Sequence, residues 1–133
     1  MYILALNGSH NNDGNTAFLL NEILRHCAEK GAETEICSVS EAIMDTKTPF
    51  CVACSTPCTK KCYKDTKLDT LFDKIERADF VVFGSPVYFG SMTGQMKCFF
   101  DKTRDARATK KWLGKPIGAG RLWGGKESEG GSR

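Results

Sequence analysis

The sequence predicts a parallel α/β sheet in a single domain, and three observations support that fold class. Strand-like apolar segments alternate along the chain with segments whose apolar residues recur at helical spacing. Residues 80–83 form an unbroken apolar run, which is typical of a central parallel strand covered on both faces. The chain has 133 residues, which is enough for one domain with a sizeable core.

The first half of the chain is predicted to supply two strands and one helix. We expect a buried strand at residues 2–7, a helix at residues 15–30 that ends at Gly31, and a second strand at residues 34–39. The apolar stripe of the helix consists of Leu20, Ile23, Leu24, Cys27 and Ala28. Two prolines and a group of cysteines then predict a long irregular segment at residues 43–65.

The second half of the chain adds two helices around the central strand and a weak fourth strand at residues 115–119. The first helix is marked by Leu68, Leu71, Phe72 and Ile75. We expect Ser91 to cap the second helix, whose apolar residues are Met92, Met96, Phe99 and Phe100. The domain is therefore placed at residues 1–120, with a cysteine-rich insertion at residues 45–65 and a disordered tail at residues 121–133.

Composition argues against several classes of function. The net charge of +3 is small and dispersed, so nucleic acid is not an expected partner. No apolar stretch approaches the roughly 20 residues of a membrane helix, and the first residues lead directly into a strand, so we expect a cytoplasmic protein that binds no membrane. Seven cysteines, an odd number, argue against a fully disulfide-paired secreted scaffold.

The loop at residues 8–16, between the first strand and the first helix, is a candidate phosphate site. Such a loop directs free backbone N–H groups and a helix N-terminus at one point. The loop is rich in short hydrogen-bonding side chains and contains no Lys or Arg. A phosphate there would therefore be held by amides, hydroxyls and the helix dipole rather than by a cation.

Known phosphate motifs narrow the ligand of this loop. Without a Lys it is not the P-loop of nucleoside-triphosphate-binding proteins, and its two glycines depart from the dinucleotide fingerprint. Dinucleotide binding stays open as an alternative, because Glu33 and Glu35 lie about where a ribose-binding acid would. A second alternative is a polar turn in which Asn15 or Thr16 caps the helix.

A second loop, at residues 84–91, follows the central strand. Glycines bracket a rigid segment with two aromatic residues, which suits the edge of a flat heterocycle. The alternative is that Tyr88 and Phe89 simply cover the core. Ligands of parallel sheets bind at the carboxyl ends of strands, so the two loops predict one cleft.

Taken together, the two loops resemble the flavodoxin-like NADPH-dependent FMN reductase family. The resemblance rests on Asn7-Gly8-Ser9 through Gly14-Asn15-Thr16, on residues 84–97 and on Phe100-Asp101, and it covers residues 1 to about 119. It implies a three-layer flavodoxin-like parallel sheet with strand order 2-1-3-4-5. It also implies FMN as cofactor and NAD(P)H as co-substrate.

The resemblance further implies which residues bind FMN. The phosphate would lie on Ser9, His10, Asn11, Asn15, Thr16 and Ala17. The isoalloxazine ring would lie against Pro86, Val87, Tyr88, Phe89 and Gly90. Electron exchange by a flavin requires no acid or base from the protein, so no catalytic side chain is assigned.

Four cysteines lie between the two loops with the spacing Cys51-x2-Cys54-x3-Cys58-x3-Cys62. They resemble the iron–sulfur flavoprotein branch of the family, from whose compact motif the spacing departs by one residue. Four thiolates suit a [4Fe–4S] cluster. Zinc, a redox-active dithiol and a loop that binds nothing are the alternatives.

Other residues near and outside this group carry weaker signals. Lys60, Lys61 and Lys64 either favour thiolates, dock an acidic ferredoxin-like electron donor, or are solvated loop charges. The remaining cysteines are expected to be inert core residues: Cys27, Cys37 and Cys98.

The resemblance also sets an expectation for the end of the chain. Family members continue through a fifth strand and a last helix, which this chain is expected to lack. The edge of strand four would then be exposed, which predicts a homo-oligomer.

We therefore expect an FMN-dependent electron-transfer oxidoreductase. NAD(P)H or an iron–sulfur centre would reduce the flavin, and a small redox molecule or a ferredoxin-like protein would be the partner. Two alternatives stay open: a truncated flavin-binding protein with little or no reductase activity, and a metal-binding interaction module organised by the cysteines.

Overall fold

The computed structural model describes residues 1–122. The strands are β1 (Tyr2–Asn7), β2 (Glu33–Ser38), β3 (Phe80–Pro86) and β4 (Ile117–Leu122). The helices are α1 (Asn15–Glu29), α2 (Val39–Met44), α3 (Lys67–Arg77), α4 (Gly94–Asp101) and α5 (Arg104–Thr109). All strand pairs are parallel and their order is β2-β1-β3-β4, which confirms the predicted α/β fold class.

Helices cover both faces of the sheet. Successive side chains of a strand point to opposite faces, so neighbouring strand residues serve different cores. On one face, Leu20 and Leu24 of α1 pack with Ile3, Ala5 and Val82. The core on the other face is larger and combines strand residues with apolar residues of α2, α3 and α4, among them Leu4, Leu6, Val81, Leu68, Leu71, Met96 and Phe99.

Helix α2 begins where the sequence predicts the last residue of the second strand. The Ser38 hydroxyl accepts the N–H of Glu41 at 3.2 Å, which caps a helix whose first residue is Val39. Neither α2 nor α5 is predicted from the sequence pattern, because six residues are too few to establish an apolar period, although the buried residues Val39, Ala42 and Ile43 of α2 stand at helical spacing.

Helix α4 begins two residues later than predicted. Thr93 is its N-cap, because the Thr93 hydroxyl accepts the N–H of Met96 at 3.2 Å. Ser91 instead exchanges backbone hydrogen bonds with Tyr88, so Met92 lies before the helix.

The predicted apolar stripe of α1 is also too wide, since its last member, Ala28, is exposed.

The end of the described chain extends the predicted fourth strand. β4 runs to Leu122, and the rest of the predicted tail lies outside the described residues. Within residues 1–122, no helix combines the length and apolar character that a membrane crossing requires. The cytoplasmic location stays a prediction.

Candidate functional site

The β1–α1 loop is shaped by its own short side chains. The Ser9 N–H donates to Oδ1 of Asn7 at 3.0 Å, and the Ser9 hydroxyl accepts the Asn11 N–H at 3.0 Å. Oδ1 of Asn11 in turn accepts the Asp13 N–H at 2.9 Å. Bonds of this type turn the chain without a partner strand, and they leave the Ser9 hydroxyl proton available as a donor.

Helix α1 opens from this loop without a side-chain cap. Gly14 occupies the N-cap position and offers no side chain, so the alternative in which Asn15 or Thr16 caps the helix is wrong. Within the described residues, the N–H groups of Asn15, Thr16 and Ala17 have no acceptor, whereas the N–H of Phe18 bonds to the Gly14 carbonyl. Orphan N–H groups at the positive end of a helix dipole form a site for an anion.

The residues predicted to bind the phosphate all lie in this loop or in the first turn of α1. Ser9, Thr16 and Ala17 are buried there, and the other three are exposed: His10, Asn11 and Asn15. None of the six is a Lys or Arg, so the site offers mainly neutral hydrogen-bond donors. This chemistry suits a phosphate monoester held by amides and hydroxyls.

Glu35, one of the two acids considered for binding a ribose, contacts other side chains of the protein. The Glu35 carboxylate pairs with the Lys74 ammonium of α3 and accepts the Tyr2 hydroxyl at 2.7 Å. The hydrogen bond from Lys74, followed by that from Tyr2, holds the pKa of Glu35 below its usual value. Glu35 therefore joins the sheet to α3, and Glu33 is exposed.

The loop after β3 contains a two-residue hairpin. Tyr88 and Ser91 exchange backbone hydrogen bonds at 2.9 and 3.0 Å, and the turn residues Phe89 and Gly90 have φ of 53° and 74°. Positive φ at both positions is type I′ geometry. The Phe89 side chain is fully exposed at the tip, so the alternative that it covers the core is wrong.

The other residues predicted to contact the ring surround this hairpin. Pro86 ends β3 and is half-buried, Tyr88 is exposed, and Gly90 completes the turn. Val87 is buried, so it exposes almost no surface to a ligand.

The two loops are joined by direct hydrogen bonds. The Gly8 N–H donates to the Gly84 carbonyl at 2.7 Å, and the Thr93 hydroxyl donates to the Gly8 carbonyl at 2.6 Å. The Thr93 N–H donates to the Ser85 hydroxyl at 3.1 Å. The loops therefore lie side by side at the carboxyl ends of β1 and β3, as the sequence predicts.

Sequence reasoning missed three residues that shape the site. Asn7 holds Ser9 of the β1–α1 loop (residues 8–16, the phosphate loop), whereas the bond between Thr93 and Ser85 holds the loop at residues 84–91 (the ring loop). Thr93 stands three residues before Met96, which is the spacing of an N-cap hydroxyl and its N–H partner. That spacing indicates Thr93 as the N-cap of α4, but the hydroxyl of Ser91, two positions earlier, is a competing candidate for the same role.

The four cysteines predicted to bind a metal are free thiols in the segment between α2 and α3. Three of them are half-buried and Cys54 is exposed. In the part of the chain that the structure describes, no three His, Cys, Asp or Glu side chains are grouped so as to hold a metal ion. The donor chemistry suits iron–sulfur or zinc, but the arrangement of these thiols does not itself form such a centre.

Residues at the junction of α4 and α5 anchor the segment between α2 and α3 (residues 45–66, the cysteine segment). Asp101 accepts the Cys51 N–H at 3.0 Å, and Arg104 donates to a backbone carbonyl of the segment at 2.7 Å. The buried Lys102 ammonium lies 3.3 Å from the sulfur of Cys62. The lysines beside the cysteines are exposed: Lys60, Lys61 and Lys64.

The three remaining cysteines are half-buried rather than fully enclosed: Cys27, Cys37 and Cys98. Burial raises the pKa of the Cys37 and Cys98 thiols above the usual value, which lowers the fraction present as reactive thiolate. This agrees with the prediction that these two residues are inert.

Known proteins are similar to this chain in sequence. A sequence model of the NADPH-dependent FMN reductase family matches residues 1–132. An iron–sulfur flavoprotein of Methanocaldococcus jannaschii is 34% identical over 109 residues, which are 80% of this chain and 54% of that protein. An iron–sulfur flavoprotein of Archaeoglobus fulgidus is 35% identical over 107 residues, 80% of this chain and 51% of that protein. The chain thus spans about half the length of these relatives.

Solved structures share the fold. A flavone reductase superimposes with a TM-score of 0.66 at 21% identity, covering 93% of this chain and 44% of that one. An NAD(P)H:acceptor oxidoreductase of Paracoccus denitrificans gives a TM-score of 0.63 at 22% identity, covering 90% of this chain and 59% of that one. The fold is therefore flavodoxin-like, as the resemblance implies. With the family match extending over both loops, the chain belongs to the NADPH-dependent FMN reductase family.

Proposed function

We propose that this protein is an FMN-dependent oxidoreductase that accepts electrons from NAD(P)H and passes them to a small-molecule acceptor. The proposal rests mainly on one observation: the phosphate loop and the ring loop are hydrogen-bonded to each other. One presents the orphan N–H groups at the start of α1, and the other presents an exposed aromatic hairpin. A phosphate monoester joined to a flat ring, as in FMN, has the matching chemistry.

The donor set fits FMN. The N–H groups of residues 15–17 and the Ser9 hydroxyl would hold the phosphate, and the hairpin at Tyr88–Ser91 would flank the ring. Bound FMN supplies the exchange of one or two electrons, whereas the protein binds it, orients it and limits its contact with water. No side chain needs to take up or release a proton in this scheme.

An iron–sulfur centre at Cys51, Cys54, Cys58 and Cys62 stays a prediction of the sequence. It is supported by the residue type and by the names of the relatives. Iron and acid-labile sulfide in anaerobically purified protein would support it. Zinc alone would favour the alternative of a metal-binding interaction module.

The visible spectrum tests the main proposal. Purified protein is expected to show flavin bands, or to acquire them with added FMN, and to oxidise NADH or NADPH when an acceptor is present. FMN uptake without NAD(P)H oxidation would favour the flavin-binding protein that lacks reductase activity. Colourless protein that takes up no added FMN would overturn the proposal.

We further propose a homo-oligomer. Within the described chain, β4 pairs with β3 alone, so its outer edge carries unpaired backbone groups. Ile117 on this strand is 62% exposed. An edge of this kind favours pairing with another copy of the chain. Light scattering should give at least a dimer, and a sharp monomer peak from a stable protein would contradict this.

A further inference from the structure

Thr93 contacts both loops of the site and the helix that follows them. Its side chain is completely buried. The hydroxyl donates to the Gly8 carbonyl at 2.6 Å and accepts the Met96 N–H at 3.2 Å. The Thr93 N–H donates to the Ser85 hydroxyl at 3.1 Å, and that hydroxyl donates onward to the Pro86 carbonyl at 2.8 Å.

These bonds fix the phosphate loop relative to the ring loop. Gly8 opens the phosphate loop, and its N–H and carbonyl are both committed, to Gly84 and Thr93 respectively. Replacing the Thr93 hydroxyl with a methyl group would leave the Gly8 carbonyl and the Met96 N–H without partners inside the protein. Buried groups that lose their partners favour rearrangement of the backbone that carries them.

We propose that Thr93 is a positioning residue that sets the span between the phosphate and ring subsites. This inference rests on the proposed function. The phosphate and the isoalloxazine ring are two linked ligands, and linked ligands bind tightly only when the distance between their subsites matches the linker. Thr93 holds that distance before FMN binds, so the site is preorganised for the whole ligand.

The test compares ligands that occupy one subsite or both. Dissociation constants of FMN, riboflavin and inorganic phosphate are measured for the wild type, T93V and T93S. T93V is expected to weaken FMN binding about tenfold, which corresponds to about 1.4 kcal/mol, while each partial ligand changes less than about twofold. T93S keeps the hydroxyl and is expected to restore FMN affinity to within about twofold of the wild type.

Thr66 provides a matched control. Its hydroxyl donates to the Tyr63 carbonyl and accepts the Asp69 N–H at 3.4 Å as the cap of α3, and it lies in neither loop. T66V should lower thermal stability in a similar manner to T93V but leave FMN affinity unchanged. Equal FMN losses in T66V and T93V would overturn the inference, because general destabilisation would then explain both.

The remaining outcomes separate this inference from the proposed function. A wild type that binds no FMN overturns both. A wild type that binds FMN, with T93V unchanged or with FMN and riboflavin weakened by the same factor, overturns the positioning role alone. If T93V does not fold, S85A takes its place in the same binding measurements, because it removes the hydroxyl that accepts the Thr93 N–H.

Discussion

Gly8, the residue that follows β1, touches Gly84 in the last part of β3, and the N–H of Gly8 donates to the carbonyl of Gly84 at 2.7 Å. A Cβ on Gly8 would lie 2.9 Å from that carbonyl oxygen and 2.7 Å from the terminal methyl of Met96. A flexible methionine can move aside, but a paired strand backbone cannot do so without losing its ladder. Glycine is therefore required at position 8 by close approach of two backbones.

Replacing Gly8 should damage both stability and ligand binding. We expect G8A to lower the free energy of unfolding by about 1–3 kcal/mol, the usual cost of overpacking. It should also abolish measurable FMN binding, because the phosphate loop must shift away from β3. Denaturant unfolding and flavin titration measure the two effects.

Gly94 is the control for this substitution. It is the first residue of α4, and a Cβ there would meet nothing within 4 Å. G94A should leave FMN affinity unchanged and stabilise the fold by about 0.4–1 kcal/mol through the unfolded state. A G8A protein as stable as G94A would refute the close-approach explanation.

The sequence signals that succeeded are local and repeated. The unbroken run at residues 80–83 lies within β3, and the apolar spacing from Leu68 to Ile75 lies within α3. Short helices such as α5 offer too few turns for a period to be read. The choice between Ser91 and Thr93 as a cap could not be made locally, since it depends on the hairpin that occupies Ser91.

Long-range contacts account for what the sequence pattern left undetermined in the cysteine segment. Cys51 is held by Asp101 and Cys62 lies beside Lys102, partners that are 50 and 40 residues distant along the chain. Cysteine spacing gives the order of the thiols, but their separation in space depends on these contacts. Cysteine spacing therefore predicts that thiols are the groups available to a metal, but it does not predict how those thiols are arranged in space.

The contact of Glu35 with Lys74 and Tyr2 predicts a pH dependence of stability. The pKa of Glu35 is lower in the folded state than its usual value of 4.5, mainly because of the hydrogen bond from Lys74. Its stabilising effect is therefore present above pH 4.5 and is lost as the pH falls through the lower folded pKa. Both side chains are partly exposed, so E35Q should cost only about 0.5–1 kcal/mol at pH 7.

Unfolding of wild type and E35Q should be compared from pH 7 to pH 3. The difference in unfolding free energy should be constant near neutrality and shrink towards zero in acid, where Glu35 is protonated like the neutral glutamine. E22Q is the comparison variant: Glu22 pairs with Arg25 on the exposed surface of α1, where solvent weakens an ion pair, so its difference should have the same sign and be smaller. A difference that grows in acid would show that Glu35 acts by another means.

Arg104 should limit the opening of the cysteine segment. Its guanidinium donates to the Ser55 carbonyl at 2.7 Å and to the Thr56 hydroxyl at 2.9 Å. R104M removes both bonds, and a loss of about 1 kcal/mol would raise the open population of the segment about fivefold. Tryptic cleavage after Lys60 and Lys61 should accelerate by that factor under native conditions.

Arg25 serves as the control for this experiment. It also loses a tryptic site when replaced by methionine, but its ion pairs lie on exposed α1. R25M should leave cleavage after Lys60 and Lys61 at the wild-type rate. If R104M behaves in the same way, the bonds from Arg104 do not hold the segment.

Phe89 should contribute to ligand binding without contributing to the fold. Its side chain is fully exposed at the tip of the hairpin, and its backbone φ of 53° is not one that a phenylalanine favours. F89A removes an aromatic surface worth about 0.5–1.5 kcal/mol against a stacked ring. We expect thermal stability to stay unchanged, and FMN and riboflavin to bind about 2–12-fold more weakly. Phosphate affinity should not change, since Phe89 lies outside the phosphate loop.

F50A is the control, because it truncates a half-exposed phenylalanine of the cysteine segment, and it should alter none of these affinities. A loss of stability in F89A without a loss of flavin affinity would assign Phe89 to the fold instead.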